Sequence, residues 1–261
     1  MLDIMNLSVI FNEGTVNEKT ALNHLNLHLN EGDFVTIIGS NGAGKSTLFQ
    51  AIAGGADVNE GSILLDNKDI TYTKEYIRSR QIGRLFQDPL KGTAPSMTIE
   101  ENLTLASSRG KHYSLRPIGH KDRKAFIKAL EALNIGLEER LYTKVGTLSG
   151  GQRQALTLLM ATFVKPKLLL LDEHTAALDP QTSLKVMNIS ERIAGEHHIT
   201  TMMITHNMED ALKYGNRILI MKEGNIIADI NQEEKKKMTV EDLIKRFTQS
   251  SESNDRILLR N

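Results

Sequence analysis

The chain has no cysteine, and that absence excludes disulfides, thiolate metal sites and thiol nucleophiles together. It has no excess charge of either sign: 32 basic residues balance 32 acidic ones over 261 positions. No global field therefore draws it toward nucleic acid or an anionic bilayer, and no nucleic-acid partner is expected. No run approaches the roughly 18 apolar residues that cross a bilayer. The opening Met1-Leu2-Asp3-Ile4-Met5-Asn6 lacks the basic region and apolar core of a secretory signal. These absences fit an intracellular home and leave membrane work to partners. What is present is 40% apolar content, enough for a substantial core in one large domain or a domain with a subdomain.

Alternating apolar and polar residues mark half-buried strands over 2–11 and 22–29, where Leu25, Leu27 and Leu29 alternate with Asn26 and His28. Residues 34–38 read as a buried strand running into a glycine-rich loop, and 45–53 as a short helix stopped at Gly54-Gly55. Strand signals return at 62–65 and 82–86, and from about 98 to 133 the periodicity turns helical. Thr98 is the expected N-cap there, with Glu101 completing a capping box, and 107–111 is a flexible middle. Helical spacing recurs over 150–164 and 183–194, buried strands at 168–171 and 200–204, and a hairpin over 217–229 turns at Glu223-Gly224-Asn225. Polar helices are expected over 233–247, with Glu233-Glu234-Lys235-Lys236-Lys237 as a solvated face, and a flexible tail over 251–261. Nearly apolar strands alternating with helices predict an α/β fold with a mainly parallel sheet covered on both faces.

Chemistry concentrates in three places. In Gly39-Ser40-Asn41-Gly42-Ala43-Gly44-Lys45-Ser46-Thr47 the glycines let backbone N–H groups converge on a polyphosphate, and the following helix points its positive end at the same anion. Lys45 adds a charge near the β and γ phosphates, and Ser46 offers a hydroxyl to Mg²⁺. Asp172 ends a strand expected beside the loop-bearing one, where it can hold Mg²⁺ directly or through water. Glu173 follows as the group to polarise the attacking water. Between these halves lies Leu148-Ser149-Gly150-Gly151-Gln152, in which a serine and two glycines at a helix start form a second anion site.

That pentapeptide, followed by Arg153-Gln154, resembles the signature motif of ABC-family ATPases, and the resemblance extends over nearly the whole chain. Gln87 matches the family's Q-loop, Ala177-Leu178-Asp179 its D-loop, and His206 its switch histidine, all in the family's order. Phe11 falls where such proteins place an aromatic ring against adenine, although Tyr is frequent there. His174 stands where family members commonly carry proline after the catalytic Glu, and a local turn preference is the expected reason. The resemblance implies the ABC ATPase fold: a P-loop NTPase core over 1–250 with an N-terminal antiparallel β-subdomain and a helical insert over about 88–165. It implies ATP and Mg²⁺ as ligands, with Ser46, Gln87 and Asp172 near the metal and Gln87 and His206 contacting the γ-phosphate. It further implies a head-to-tail dimer, homomeric or with another ABC chain. In that dimer Ser149, Gly150, Gly151 and Gln152 of one chain cover the γ-phosphate held by Lys45 of the other, and Asp179 communicates across the interface.

Without membrane spans, the chain resembles the separate ATPase subunit of a bacterial importer, held at the cytoplasmic face of the membrane by permease subunits and served by an extracytoplasmic substrate-binding protein. Residues 88–95, with two prolines and a glycine, suit a shaped contact loop for the permease. The texture of 86–103 and 172–180 resembles amino-acid importers. An exporter subunit for lipid, peptide or drug uses the same chemistry, and so does a soluble ABC protein of translation or repair. The latter usually carries a second ATPase half or a coiled coil. A purely structural nucleotide-binding module would lack Glu173.

Overall fold

The computed structural model describes residues 1–88, 90–109 and 118–248. The expected tail over 251–261, part of the flexible middle (Gly110 and Lys111) and Pro89 of the contact loop lie outside the described residues. In chain order the first elements are β1 (Leu2–Phe11), β2 (Lys19–Leu29), β3 (Phe34–Gly39), α1 (Lys45–Ala53), β4 (Glu60–Leu65) and β5 (Lys68–Asp69). Then come α2 (Glu75–Arg78), β6 (Ile82–Leu85), α3 (Ile99–Ser107), α4 (His120–Glu131), a 3₁₀ turn Val145–Thr147, α5 (Gly150–Thr162), β7 (Leu168–Asp172) and α6 (Pro180–Glu196). Last are β8 (Thr200–Ile204), α7 (Met208–Lys213), β9 (Arg217–Lys222), β10 (Asn225–Ile230) and α8 (Gln232–Lys235), with 240–248 also helical. The chain divides into two compact units, Met1–Glu75 together with the residues from Thr200 on, and Tyr76–Ile199.

The first unit contains the expected antiparallel β-structure, with strands in the order β2-β1-β4-β5. Simple alternation would expose either Ile4 or Leu7, yet both are buried. The register between β1 and β2 shifts between those residues, and Asn6 there has φ 48°. Such a bulge rephases the strand so that two apolar sets share one face. The same unit holds β3 pairing in parallel with β8 and β9, and β10 closing on β9 as the expected antiparallel hairpin. Ile38, Ile218, Ile220, Ile230, Ala211 and Leu243 form a buried cluster there.

The second unit is built on β6 and β7, which pair in parallel. Leu168 to Leu171 are fully buried, as a strand without polar alternation requires. The expected helical stretch is α3 and α4, and α3 starts on the predicted capping box: the Glu101 N–H donates to Thr98 Oγ1, and the Thr98 N–H to Glu101 Oε2. Helix α6 begins at Pro180, three residues before the expected 183, because Asp179 accepts from the Thr182 N–H at 3.1 Å and proline suits the first helical position.

Two expectations fail here. The strand that ends in Asp172 does not lie beside the loop-bearing β3, because β8 and β9 take the two sides of β3 and β7 pairs with β6 instead. Lys235 is buried, not solvated: its Nζ donates to the Tyr214 and Gly215 carbonyls, the latter at 2.8 Å. These are carbonyls just past the end of α7, where a cation is favoured, whereas Lys236 faces outward to Glu233 at 3.2 Å.

Thr98→Ala is expected to lower stability by about 1 kcal/mol, the usual cost of an N-cap, read as a lower urea midpoint at unchanged slope. The hydrogen bond from the Thr98 backbone, then that from its side chain, holds the Glu101 carboxyl below its ordinary value of 4.5. The box is therefore at full strength above that value and weakens as pH falls through the lowered one. The difference between wild type and variant should shrink in acid.

Candidate active site

In the first unit, β3 delivers the chain into the phosphate loop and α1 carries it away. No side chain caps the start of α1, and its first turn has no acidic residue. The N–H groups at that end thus stay directed at whatever anion approaches. Gly44 adopts φ 98°, and a Cβ there would lie 2.6 Å from the Ala21 carbonyl oxygen of β2. Only glycine satisfies both the left-handed backbone and that approach. The loop is braced from a second side, since the Gly224 N–H of the β9–β10 turn donates to the Ala43 carbonyl at 3.0 Å, and the Asn23 N–H to the Gly224 carbonyl at 3.1 Å.

Lys45 is buried, and its Nζ donates to the Gly39 and Ser40 carbonyls at 2.7 and 2.9 Å. The ammonium therefore lies over the loop where phosphate oxygens would compete for it. Ser46 is exposed beside it and Thr47 half-buried.

His206 follows β8, two residues beyond Ile204, which pairs with Ile37 of β3. It is exposed at the same end of the strands as the phosphate loop. The Thr205 N–H donates to the Ile37 carbonyl at 3.1 Å, and Asn207 caps α7 by accepting from the Glu209 N–H at 2.8 Å, so the histidine is held between two anchored neighbours. Phe11 is 39% exposed at the end of β1, free enough to stack on a ring. It lies two residues past Val9, whose partner Leu22 adjoins Gly44.

In the second unit the parallel pairing places the ends of β6 and β7 side by side, with Leu85 opposite Leu171. Asp172 and the exposed Gln87 leave from those ends. Arg84, which the sequence reading left out, has its guanidinium 3.9 Å from the Asp172 carboxylate and 4.6 Å from the centre of the Phe86 ring. A cation inside an apolar strand was its one signal. Glu173 has φ 45°, a left-handed conformation uncommon for a residue with a Cβ.

His174, expected to reflect only a turn preference, is buried with its Nε2 3.1 Å from Ser190 Oγ of α6. Burial pushes its imidazole down to about 4, so it is neutral near pH 7. No sequence signal joins positions 174 and 190; only the packing of α6 does.

The signature stretch forms the start of α5. Ser149 Oγ accepts from the Gln152 N–H, and Gln152 Oε1 accepts from the Ser149 N–H, each at 3.3 Å. The serine's own proton remains to be donated outward. Ser149 and Gly150 are exposed, while Gly151 is buried against α6. A Cβ on Gly151 would overlap the Thr182 methyl group, so the start of α5 abuts the start of α6, where Asp179 is the cap. Gln154 reaches from α5 to the Phe86 carbonyl at 3.4 Å. The second unit thereby joins the start of α5, the Asp179 cap of α6 and the strand that leads to Gln87.

The ABC transporter family model matches residues 22–176. A tyrosine transport ATP-binding protein of Clostridioides difficile (strain R20291) is 44% identical over 247 residues, covering 95% of this chain and 98% of that protein. A phosphonates import ATP-binding protein of Lactococcus lactis subsp. lactis (strain IL1403) is 34% identical over 233 residues, covering 88% and 92%. Among solved structures, the dimeric post-hydrolysis state of an ATP-binding cassette bound to ADP and Pi is similar with TM-score 0.76 and 29% identity, over 89% of this chain and 99% of that one.

Lys45→Ala should weaken ATP binding by at least about ten-fold, since it removes the charge that meets the β and γ phosphates. Calorimetric titration with ATP checks this, and unchanged affinity would sink the phosphate-loop assignment.

Proposed function

The chain belongs to the ABC transporter family of ATP-binding subunits, and from that premise we propose that it powers uptake of an amino acid, tyrosine foremost, through a separate membrane permease. It has the ABC ATPase fold and is an ATPase coupled to transport, of the import type. The observation that carries the cargo is the 44% identity, nearly end to end, to a tyrosine transport ATP-binding protein. No helix among the described residues is long and apolar enough to cross a membrane. Anchorage at the cytoplasmic face through permease subunits supplies what the chain lacks, and an extracytoplasmic binding protein delivers the cargo.

In this reading the polyphosphate of ATP lies across Gly39 to Thr47, and Lys45 exchanges the Gly39 and Ser40 carbonyls for phosphate oxygens. Phe11 stacks on the adenine. The Ser46 hydroxyl, the Gln87 amide oxygen and the Asp172 carboxylate are hard oxygen donors that would hold Mg²⁺, and the ion would supply positive charge to the leaving diphosphate. Glu173 polarises the attacking water, and Gln87 and His206 contact the γ-phosphate. Ser149 and Gly151 donate to that phosphate from a second chain, arranged head to tail, and Asp179 lies along the interface. A ligand touching both chains stabilises their closed dimer by its differential affinity, so ATP closes the pair and hydrolysis releases it.

Glu173→Gln should reduce ATP hydrolysis by about 10²-fold or more and leave an ATP-bound dimer, seen by light scattering. A monomer under saturating ATP and Mg²⁺, alone and with the permease, would overturn the sandwich. Purification of the tagged chain from native membranes should bring down a permease. Deletion of the chain should abolish uptake of radiolabelled tyrosine; uptake at the parental rate would refute the cargo.

A further inference from the structure

Glu173 holds a conformation that a side-chain-bearing residue adopts only where its surroundings impose it. The turn it opens is closed by local bonds: the Ala176 N–H donates to the Glu173 carbonyl at 3.0 Å and the Leu178 N–H to the Thr175 carbonyl at 3.1 Å. Such bonds shape the turn but do not fix it against another element. His174 does so, because its ring leaves the turn and meets Ser190, sixteen residues on in α6. Both residues are buried, at 3% and 0% exposure, so water does not substitute readily for the bond.

The direction of that bond is inferred from the second partner of Ser190, a carbonyl that can only accept. Ser190 Oγ donates its single proton to the Val186 carbonyl at 2.9 Å, one turn back along α6. Toward His174 the hydroxyl is therefore an acceptor, and the imidazole carries its proton on Nε2. A buried ring locked in one tautomer and tied to a helix is a fixed strut.

We infer that His174 is a positioning residue for Glu173: by donating from Nε2 to Ser190 it holds the turn that aims the glutamate carboxylate. The inference rests on the proposed role of Glu173 in activating water. It assigns no chemical step to the imidazole. Neither His174 nor Ser190 lies in the glycine-rich loop of residues 39–47, so loosening the strut should disturb turnover and spare ATP binding.

Three variants test it beside Glu173→Gln, each assayed well below its own melting temperature. His174→Leu keeps bulk without a donor, Ser190→Ala removes the acceptor, and His174→Gln returns an N–H at the reach of Nε2. The Leu and Ala variants should lose about ten-fold in kcat with KM for ATP unchanged, and the Gln variant should recover most of it. In ¹⁵N-histidine-labelled protein the His174 ring should show a protonated Nε2 and a bare Nδ1. Wild-type kcat in both Leu and Ala variants overturns the inference, as does a KM that rises as kcat falls, a Gln variant as slow as Leu, or a ring protonated on Nδ1. Those results with an inactive Glu173→Gln refute the strut alone, whereas a Glu173→Gln that hydrolyses ATP at the wild-type rate refutes the role of Glu173 itself.

Discussion

Helix α1 begins without a side-chain cap of its own, and something else must then hold its first turn. Here that support comes from the near-contact of Gly44 with the Ala21 carbonyl, 2.6 Å from where a Cβ would stand. The antiparallel strand β2 and the hairpin turn at Gly224 press on the loop from outside, and α1 is thereby able to leave its N–H groups pointing at a ligand. Lys45, the first residue of α1, is held over the same loop by the Gly39 and Ser40 carbonyls. The expected β-subdomain in this sense supports the glycine-rich loop.

The second unit solves the opposite problem, since its two helix starts are capped from within. Ser149 and Gln152 cap α5 reciprocally, and Asp179 caps α6. In each the side chain that could meet a ligand also accepts a backbone bond, and this fixes its direction before any ligand arrives. Preorganised polar groups need little reorganisation at the moment of reaction. Glu173 is treated likewise, with its turn tied to the body of α6 through His174.

What was legible in the sequence was local. The glycines of the phosphate loop, the Thr98 and Glu101 box and the apolar run before Asp172 each carry their reason within a few residues, and the fold class follows from their order. Short elements escaped: β5 has two residues and α7 six, too few for a period to emerge. The start of α6 was placed late because Asp179 and Pro180 act as cap and first residue, not as loop. Lys235 was misread because a charged run looks solvated until the end of α7 is brought against it. The pairs His174 with Ser190 and Arg84 with Asp172 depend on packing between elements, which no spacing along the chain encodes.

The meeting of Gly151 with Thr182 has a consequence for how such a chain can vary. The methyl group of one residue fills the space where the other would carry a side chain. Enlarging position 151 therefore requires the Thr182 side chain to turn away or to be replaced by a smaller one. The volume open to a side chain at one of these positions is set by the residue at the other.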